Sequence, residues 1–538
     1  MALHVQCAGC GGKFQAPEKL AGKRVKCPKC GQPLAVPDPQ SAAARPAGDL
    51  DLEQLLGAEA GPAVMPSAPL GPVRKKKRPS NTRLIVGLSV GAGAAVLLLS
   101  LVFLLWPSGE DRGLVGADIA GLPDIDDPFD VEQFGTVEID PADNAYTVYK
   151  EAAGLLVKPS GISANDFNRA DQEGWSGATE PIRKWVVDNR PAMNVWREGT
   201  EKPEAVYYQP KDLRQDTLLP VVKDLREFAR LAKLEGSRLE IEAKPAEAWQ
   251  WYRAVFRSSR HCGMHGTLIE RVVGIGIHAT AGESLNKWAS NPAVDGDMLR
   301  RAIADVSADY KMTAHASTTL KVEYLILMKI YDDPEQAAQL LKDVPGLAEL
   351  NRARGLDSKS EPELSRRVTK HVFANLLPQI DKPPQTRTKR RAGGAMLYDP
   401  EPRGKTPTIP VEDLERYLAQ SGLAQWLLPT IRSSIETLVG REQAEQACLM
   451  VMLAAQAYCR DHGELPEKAQ DLVPSYLPTL PPDPYGKTGE TLRYRRDHDR
   501  ATAWSVGQNG IDDGGQVVRG RHKAASADIG FAFVSPEG

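Results

Sequence analysis

The sequence predicts a multidomain, mainly α-helical chain with a small β unit at its start, one membrane-spanning helix, and an α+β module at its end. Three observations carry this expectation. Two Cys-x-x-Cys pairs lie within the first thirty residues, one uncharged stretch fills 84–106, and apolar residues recur at helical spacing over most of the chain beyond it. At 538 residues the chain exceeds what one hydrophobic core serves, so several folded units are expected. With 42% hydrophobic and 25% charged residues a wholly disordered chain is excluded. The net charge of -3 hides a basic block before the uncharged stretch and an acidic one after it.

Cys7 and Cys10 form the first pair, Cys27 and Cys30 the second, and sixteen residues separate them. That spacing suits a four-cysteine zinc site, in which each pair closes a tight turn and points two thiolates at one ion. Gly11, Gly12 and Gly31 come directly after the turns, and short stretches such as Lys13 to Ala16 and Arg24 to Lys26 suit strands. So small a unit has almost no core, and bound zinc is expected to supply on the order of 10 kcal/mol of folding free energy. The pattern resembles the zinc-ribbon fingers at the N-terminus of many bacterial membrane-anchored proteins, which implies fold and metal but no ligand. Lys13, Lys19, Lys23, Arg24, Lys26 and Lys29 make the unit basic. Nucleic acid is a weaker expectation than a protein partner, because Phe14 is the sole aromatic residue and no stacking platform accompanies the charges.

Residues 37–73 read as a Pro-, Ala- and Gly-rich tether. Leu84 to Trp106 then runs without a charge, long enough as a helix of about 34 Å to cross a lipid bilayer. Arg74 to Arg78 and Arg83 precede it, whereas Glu110, Asp111, Asp118, Asp124, Asp126, Asp127 and Asp130 come after it. The positive-inside rule therefore predicts a single-pass inner-membrane protein, with the N-terminus cytoplasmic and the C-terminal region exported.

From residue 142 the spacing is helical, as in Ala145, Val148, Tyr149 and Ala152, and similar patterns run through 218–239, 246–288, 298–330 and 364–377. Ala246 to Ala254 looks like the first helix of a tetratricopeptide-type pair, but no thirty-four-residue period continues it. Residues 382–410 read as a long polar loop. His261-Cys262-Gly263-Met264-His265 places two histidines four apart, as on one helix face. The zincin pattern needs a glutamate where Cys262 stands, and no third ligand is spaced to complete a site. Gly266 to Glu270 has the look of a prepilin processing motif without the phenylalanine or the apolar helix that such a motif requires. A P-loop is absent from the sequence. Cys262, Cys448 and Cys459 read as small buried hydrophobes.

A long helix is expected from about residue 433 to His462-Gly463, succeeded by Glu464-Leu465-Pro466, Pro482-Asp483-Pro484-Tyr485-Gly486, strands at 491–496 and 502–506, and Asn509 to Gly515. This series resembles the soluble end of the major pseudopilins of type II secretion. The resemblance implies a helix packed on a small antiparallel sheet, and a calcium site at the matching Ser505, Asp512 and Asp513. An acidic Gly-rich turn without metal is the alternative, since further ligands are missing after Gly515.

The expected organisation is thus a zinc ribbon at 1–37, a linker at 38–83, the transmembrane helix at 84–106, an acidic linker at 107–141, a helical domain at 142–432 and the pseudopilin-like module at 433–538. The function expected is a membrane-anchored, non-enzymatic interaction or scaffold protein of the cell envelope, its partners being the lipid bilayer and an envelope protein. Two alternatives stand beside it: a hydrolase or metal-dependent enzyme using His261, His265 and Glu270, and a signalling protein whose ribbon contacts nucleic acid or a cytosolic protein.

Overall fold

The computed structural model describes residues 2–6, 13–17, 24–26, 33–35, 121–343, 361–387, 397–398, 409–517 and 528–536. The chain divides into two units, Met1–Asp49 and Leu50–Gly538. In the first, strands β1 (Ala2–Gln6) and β2 (Lys13–Pro17) pair antiparallel with Val5 opposite Phe14, and β3 (Arg24–Lys26) and β4 (Pro33–Ala35) pair with Val25 opposite Leu34. Cys7, Cys10, Cys27 and Cys30 lie outside the described residues, in the connections of these two hairpins.

The second unit is helical: α1 (Val131–Gly135), α2 (Ala145–Leu155), α3 (Ala164–Glu173), α4 (Glu180–Asp188), α5 (Arg190–Thr200), α6 (Pro220–Ile241), α7 (Pro245–His261), α8 (Leu268–Ala289), α9 (Gly296–Tyr310), α10 (Ala316–Asp332), α11 (Pro334–Asp343), α12 (Glu361–Ile380), α13 (Val411–Gln420) and α14 (Gly422–His462). A three-stranded antiparallel sheet completes it, made of β5 (Arg493–Asp497), β6 (Arg500–Ser505) and β7 (Ile529–Val534), with β6 in the middle. Local chemistry sets many of the ends. Ser163 and Asp166 form a capping box on α3, Pro220 and Pro245 stand at the first helical positions of α6 and α7, and Gly463 ends α14 in the left-handed conformation.

Two large apolar cores form among the described residues. One gathers α2, α4 to α9, the second half of α14 and the inner face of the sheet, around residues such as Trp196, Phe228, Trp288 and Phe531. The other gathers α10, α12, α13 and the first half of α14, around Tyr324, Phe373 and Leu423. The 41 residues of α14, about 60 Å of helix, serve both. It begins at Gly422, where the Ser421 side chain accepts from the Ala424 amide as the N-cap, and so earlier than the expected residue 433.

The expectation of a membrane-spanning helix, and with it of an inner-membrane location, is corrected. Among the described residues no helix is long and apolar enough to cross a membrane. The stretch 84–106 lies outside them. Physically, α14 is interrupted by Arg432, Glu436, Arg441, Glu442 and Glu445, and α8 by Glu270, Arg271, Glu283 and Lys287, which a hydrocarbon core would penalise. Strands β5 and β6 turn at His498-Asp499, the expected turn at Asn509-Gly510 comes after β6, and β7 is an addition to the two expected strands.

Midway along α14, Glu442 is wholly buried and pairs with Arg260 of α7 and Arg271 of α8, themselves 1% and 2% exposed. Burial alone would raise the Glu442 carboxyl, but the two guanidiniums outweigh it and hold the group at about 2. Glu442→Ala, which strands two buried guanidiniums, should cost about 3–5 kcal/mol in urea unfolding. Lys184→Ala, which breaks an exposed pair with Asp188, should change stability by less than about 0.5 kcal/mol.

Candidate functional site

The residues singled out at 261–270 meet at the turn between α7 and α8. Helix α7 ends at His261 because Cys262 turns extended and Gly263 takes φ +83°. A Cβ on Gly263 would lie 2.6 Å from the Arg271 backbone, so only glycine fits. Thr267 and Glu270 then form a capping box that starts α8. The segment with the look of a prepilin site is this cap, and Gly266 is small because a Cβ there would meet Glu270 Oε2 at 2.3 Å.

His261 is fully buried. Its Nε2 lies 3.0 Å from the Lys202 carbonyl, which can only accept, so that nitrogen carries the proton; Nδ1 accepts from the Tyr149 hydroxyl at 2.7 Å. Burial, reinforced by Arg257, pushes the imidazole down to about 3 and keeps it neutral. Neither nitrogen is left for a metal or a proton relay. Because α7 stops at His261, His265 does not sit one turn along the same helix; its Nε2 faces Glu204 Oε2 at 3.2 Å. The buried Cys262 thiol donates to the Glu270 carbonyl at 3.1 Å, and burial pushes it well up from the usual thiol range.

Two carboxylates cap the N-terminus of α8. Glu270 Oε2 accepts from the Thr267 amide at 2.8 Å, and Glu323 Oε1 of α10 accepts from the Leu268 amide at 2.7 Å. Burial raises Glu270 above the usual carboxylate range. Burial pushes Glu323 up to about 7, with the Glu270 charge adding to the rise and the Leu268 hydrogen bond opposing it. Glu323 keeps some accessible area yet has protein on most sides. Sequence reading could not find it, since it lies 55 residues from Leu268.

Beside this cap Tyr146, Tyr207, Tyr208, Met264 and His265 enclose a cavity of about 10 Å³. That is room for about one water molecule and for no organic substrate. Of the candidate acid and base groups, His265 and Glu270 line this cavity.

At the other end of the unit, Ser505, Asp512 and Asp513 are not brought to one point. The Ser505 hydroxyl donates to the buried Asp483. Asp512 accepts from the Trp504 indole and pairs with Arg493, both at 3.0 Å, and the Asp513 amide donates to Asp528 at 3.3 Å. Asp483 and Asp528 thus organise this loop, the second from beside a strand that the sequence did not announce. Among the described residues no group of three His, Cys, Asp or Glu side chains could hold a metal ion. The cysteine quartet lies outside that set.

No family model, curated protein or solved structure matches the chain.

An unfolded glutamate titrates near 4.5, so between about pH 4.5 and about 7 the folded chain holds a proton on Glu323 that the unfolded chain has released. The resulting stabilisation is full below 4.5 and is lost as pH rises through about 7. Glu323→Gln keeps the acceptor for Leu268 and removes the titration. Urea unfolding should find the variant more stable than the native chain by on the order of 1–3 kcal/mol at pH 8, with the gap closing near pH 4.5. An unchanged gap across this window would disprove the assignment.

Proposed function

We propose that the chain is a non-enzymatic interaction protein, in which an N-terminal zinc ribbon and a large helical body act as binding modules. The observation that supports the second half is the water-sized cavity of about 10 Å³ around the best acid and base candidates, with His261 and Cys262 consumed by structural hydrogen bonds. An enzyme needs its proton-transferring groups within reach of a bound substrate. Here the polar groups are in reach of one another.

Support for the first half comes from the strands. Gln6 ends β1 and Lys13 opens β2, so Cys7 and Cys10 fall in a six-residue hairpin connection; Cys27 and Cys30 fall likewise between Lys26 and Pro33. Two hairpin tips, each with two cysteines, fit the tetrahedral thiolate requirement of zinc. Cys7, Cys10, Cys27 and Cys30 would hold the ion, whose contribution is structural: it would join the two hairpins in a unit with little apolar core.

Atomic-emission analysis of the purified full chain should find about one zinc per chain, and Cys27→Ser should bring it to background. Assays against ester, peptide and phosphate-ester substrates should show no turnover that responds to His265→Ala or Glu270→Gln. Turnover abolished by either substitution would overturn the non-enzymatic reading.

A further inference from the structure

An open groove of about 580 Å³ lies where the end of α8 flanks the outer face of the sheet, within the ~300–1,000 Å³ range of ligand clefts. The register puts Arg495 opposite Thr502 and Thr502 opposite Ala532, with Asp497 opposite Arg500 and Arg500 opposite Val534. Alternate residues point the other way, so Ala501, Ala503, Phe531 and Phe533 enter the core while this row faces outward. The floor is Ala532 and Val534, the latter 37% exposed, and Lys287 of α8 forms a wall.

Charge selects the class of occupant. Lys287, Arg495 and Arg500 line the groove against the single carboxylate of Asp497. Arg500 is exposed and makes no side-chain hydrogen bond or ion pair with a described residue, and Arg495 is held over the Trp504 ring and to the Gly514 carbonyl without a carboxylate partner among the described residues. A second observation narrows the choice. Among the lining residues the one aromatic side chain, Phe533, is buried, so no ring is offered to stack a base, which favours a peptide over a single-stranded nucleic acid.

The outer edge of β7 is closed to an added strand, because Asn286 and Gln456 already donate to the Ala532 and Val534 carbonyls. An occupant therefore lies across the face of the sheet. We infer that this groove docks an extended, acidic peptide segment of a partner protein, with carboxylates at Arg495 and Arg500 and small apolar side chains over Ala532 and Val534. The inference rests on the proposed binding role and names its partner.

Fluorescence anisotropy with the full chain tests it, using a labelled peptide that alternates glutamate with valine, the same peptide with glutamine for glutamate, and a single-stranded DNA oligomer of equal charge. The acidic peptide should bind, and Arg500→Glu should weaken it on the order of ten-fold. Ala532→Trp, which fills the groove, should do the same, while Lys184→Glu, outside the groove lining, should not. The glutamine peptide and the DNA should bind no better than the acidic peptide binds the Arg500→Glu chain. Since Arg500 is exposed and spends no charge on a described residue, an unchanged melting temperature of that variant should accompany the loss. Acidic-peptide affinity insensitive to both Arg500→Glu and Ala532→Trp overturns the site, and tighter groove binding by the DNA overturns the class of partner. Neither result depends on the turnover assays, so this site and the non-enzymatic reading fail separately.

Discussion

One carboxylate sits where three helices cross. Glu442 reaches from the middle of α14 to Arg260 near the end of α7 and to Arg271 near the start of α8, and all three are inaccessible to water. Desolvating these ions costs several kcal/mol each, and their mutual attraction offsets that cost only when the geometry holds. The constraint therefore acts on register. A slide of α14 by one residue would separate the charges and leave two guanidiniums in an apolar setting. Everything that α14 carries is positioned by that lock: Leu423 to Ile435 in one core, Cys448 to Cys459 in the other, and the sheet beyond its C-terminal end.

How far the sequence reveals this depends on the range of each interaction. Helical periodicity is a local signal, and Ala145, Tyr149 and Ala152 are buried on one face of α2, in keeping with their spacing. The helix ends are local too, yet one is easily mistaken: Thr267 to Glu270 is a capping box in plain view, and a superficial likeness to a cleavage motif obscures it. The histidine pair fails for a related reason. Four residues place side chains on one face only while the helix continues, and Gly263 ends α7 between them.

Contacts at long range leave no trace in the pattern. Glu442 meets Arg271 across 171 residues, and Glu323 caps an amide 55 residues away. Strand β7 carries only six residues, IGFAFV, and its register against β6 depends on tertiary packing against α14 and α8. The uncharged stretch 84–106 is the strongest sequence signal of all, and the membrane reading built on it finds no helix among the described residues to support it.

The distribution of satisfied and unsatisfied polar groups carries the functional argument furthest. Around the start of α8, each group that could do chemistry already has a protein partner: His261 uses both nitrogens, Cys262 gives its proton to a carbonyl, and Glu270 and Glu323 hold backbone amides. Those bonds stabilise the fold. At the far end of the same helix Arg495 and Arg500 face the groove with a single lining carboxylate, Asp497, opposite Arg500. A protein tends to satisfy its buried polar atoms internally when it can. Two arginines set against one carboxylate leave a surplus of positive charge, and that surplus is where an acidic partner can lower the free energy.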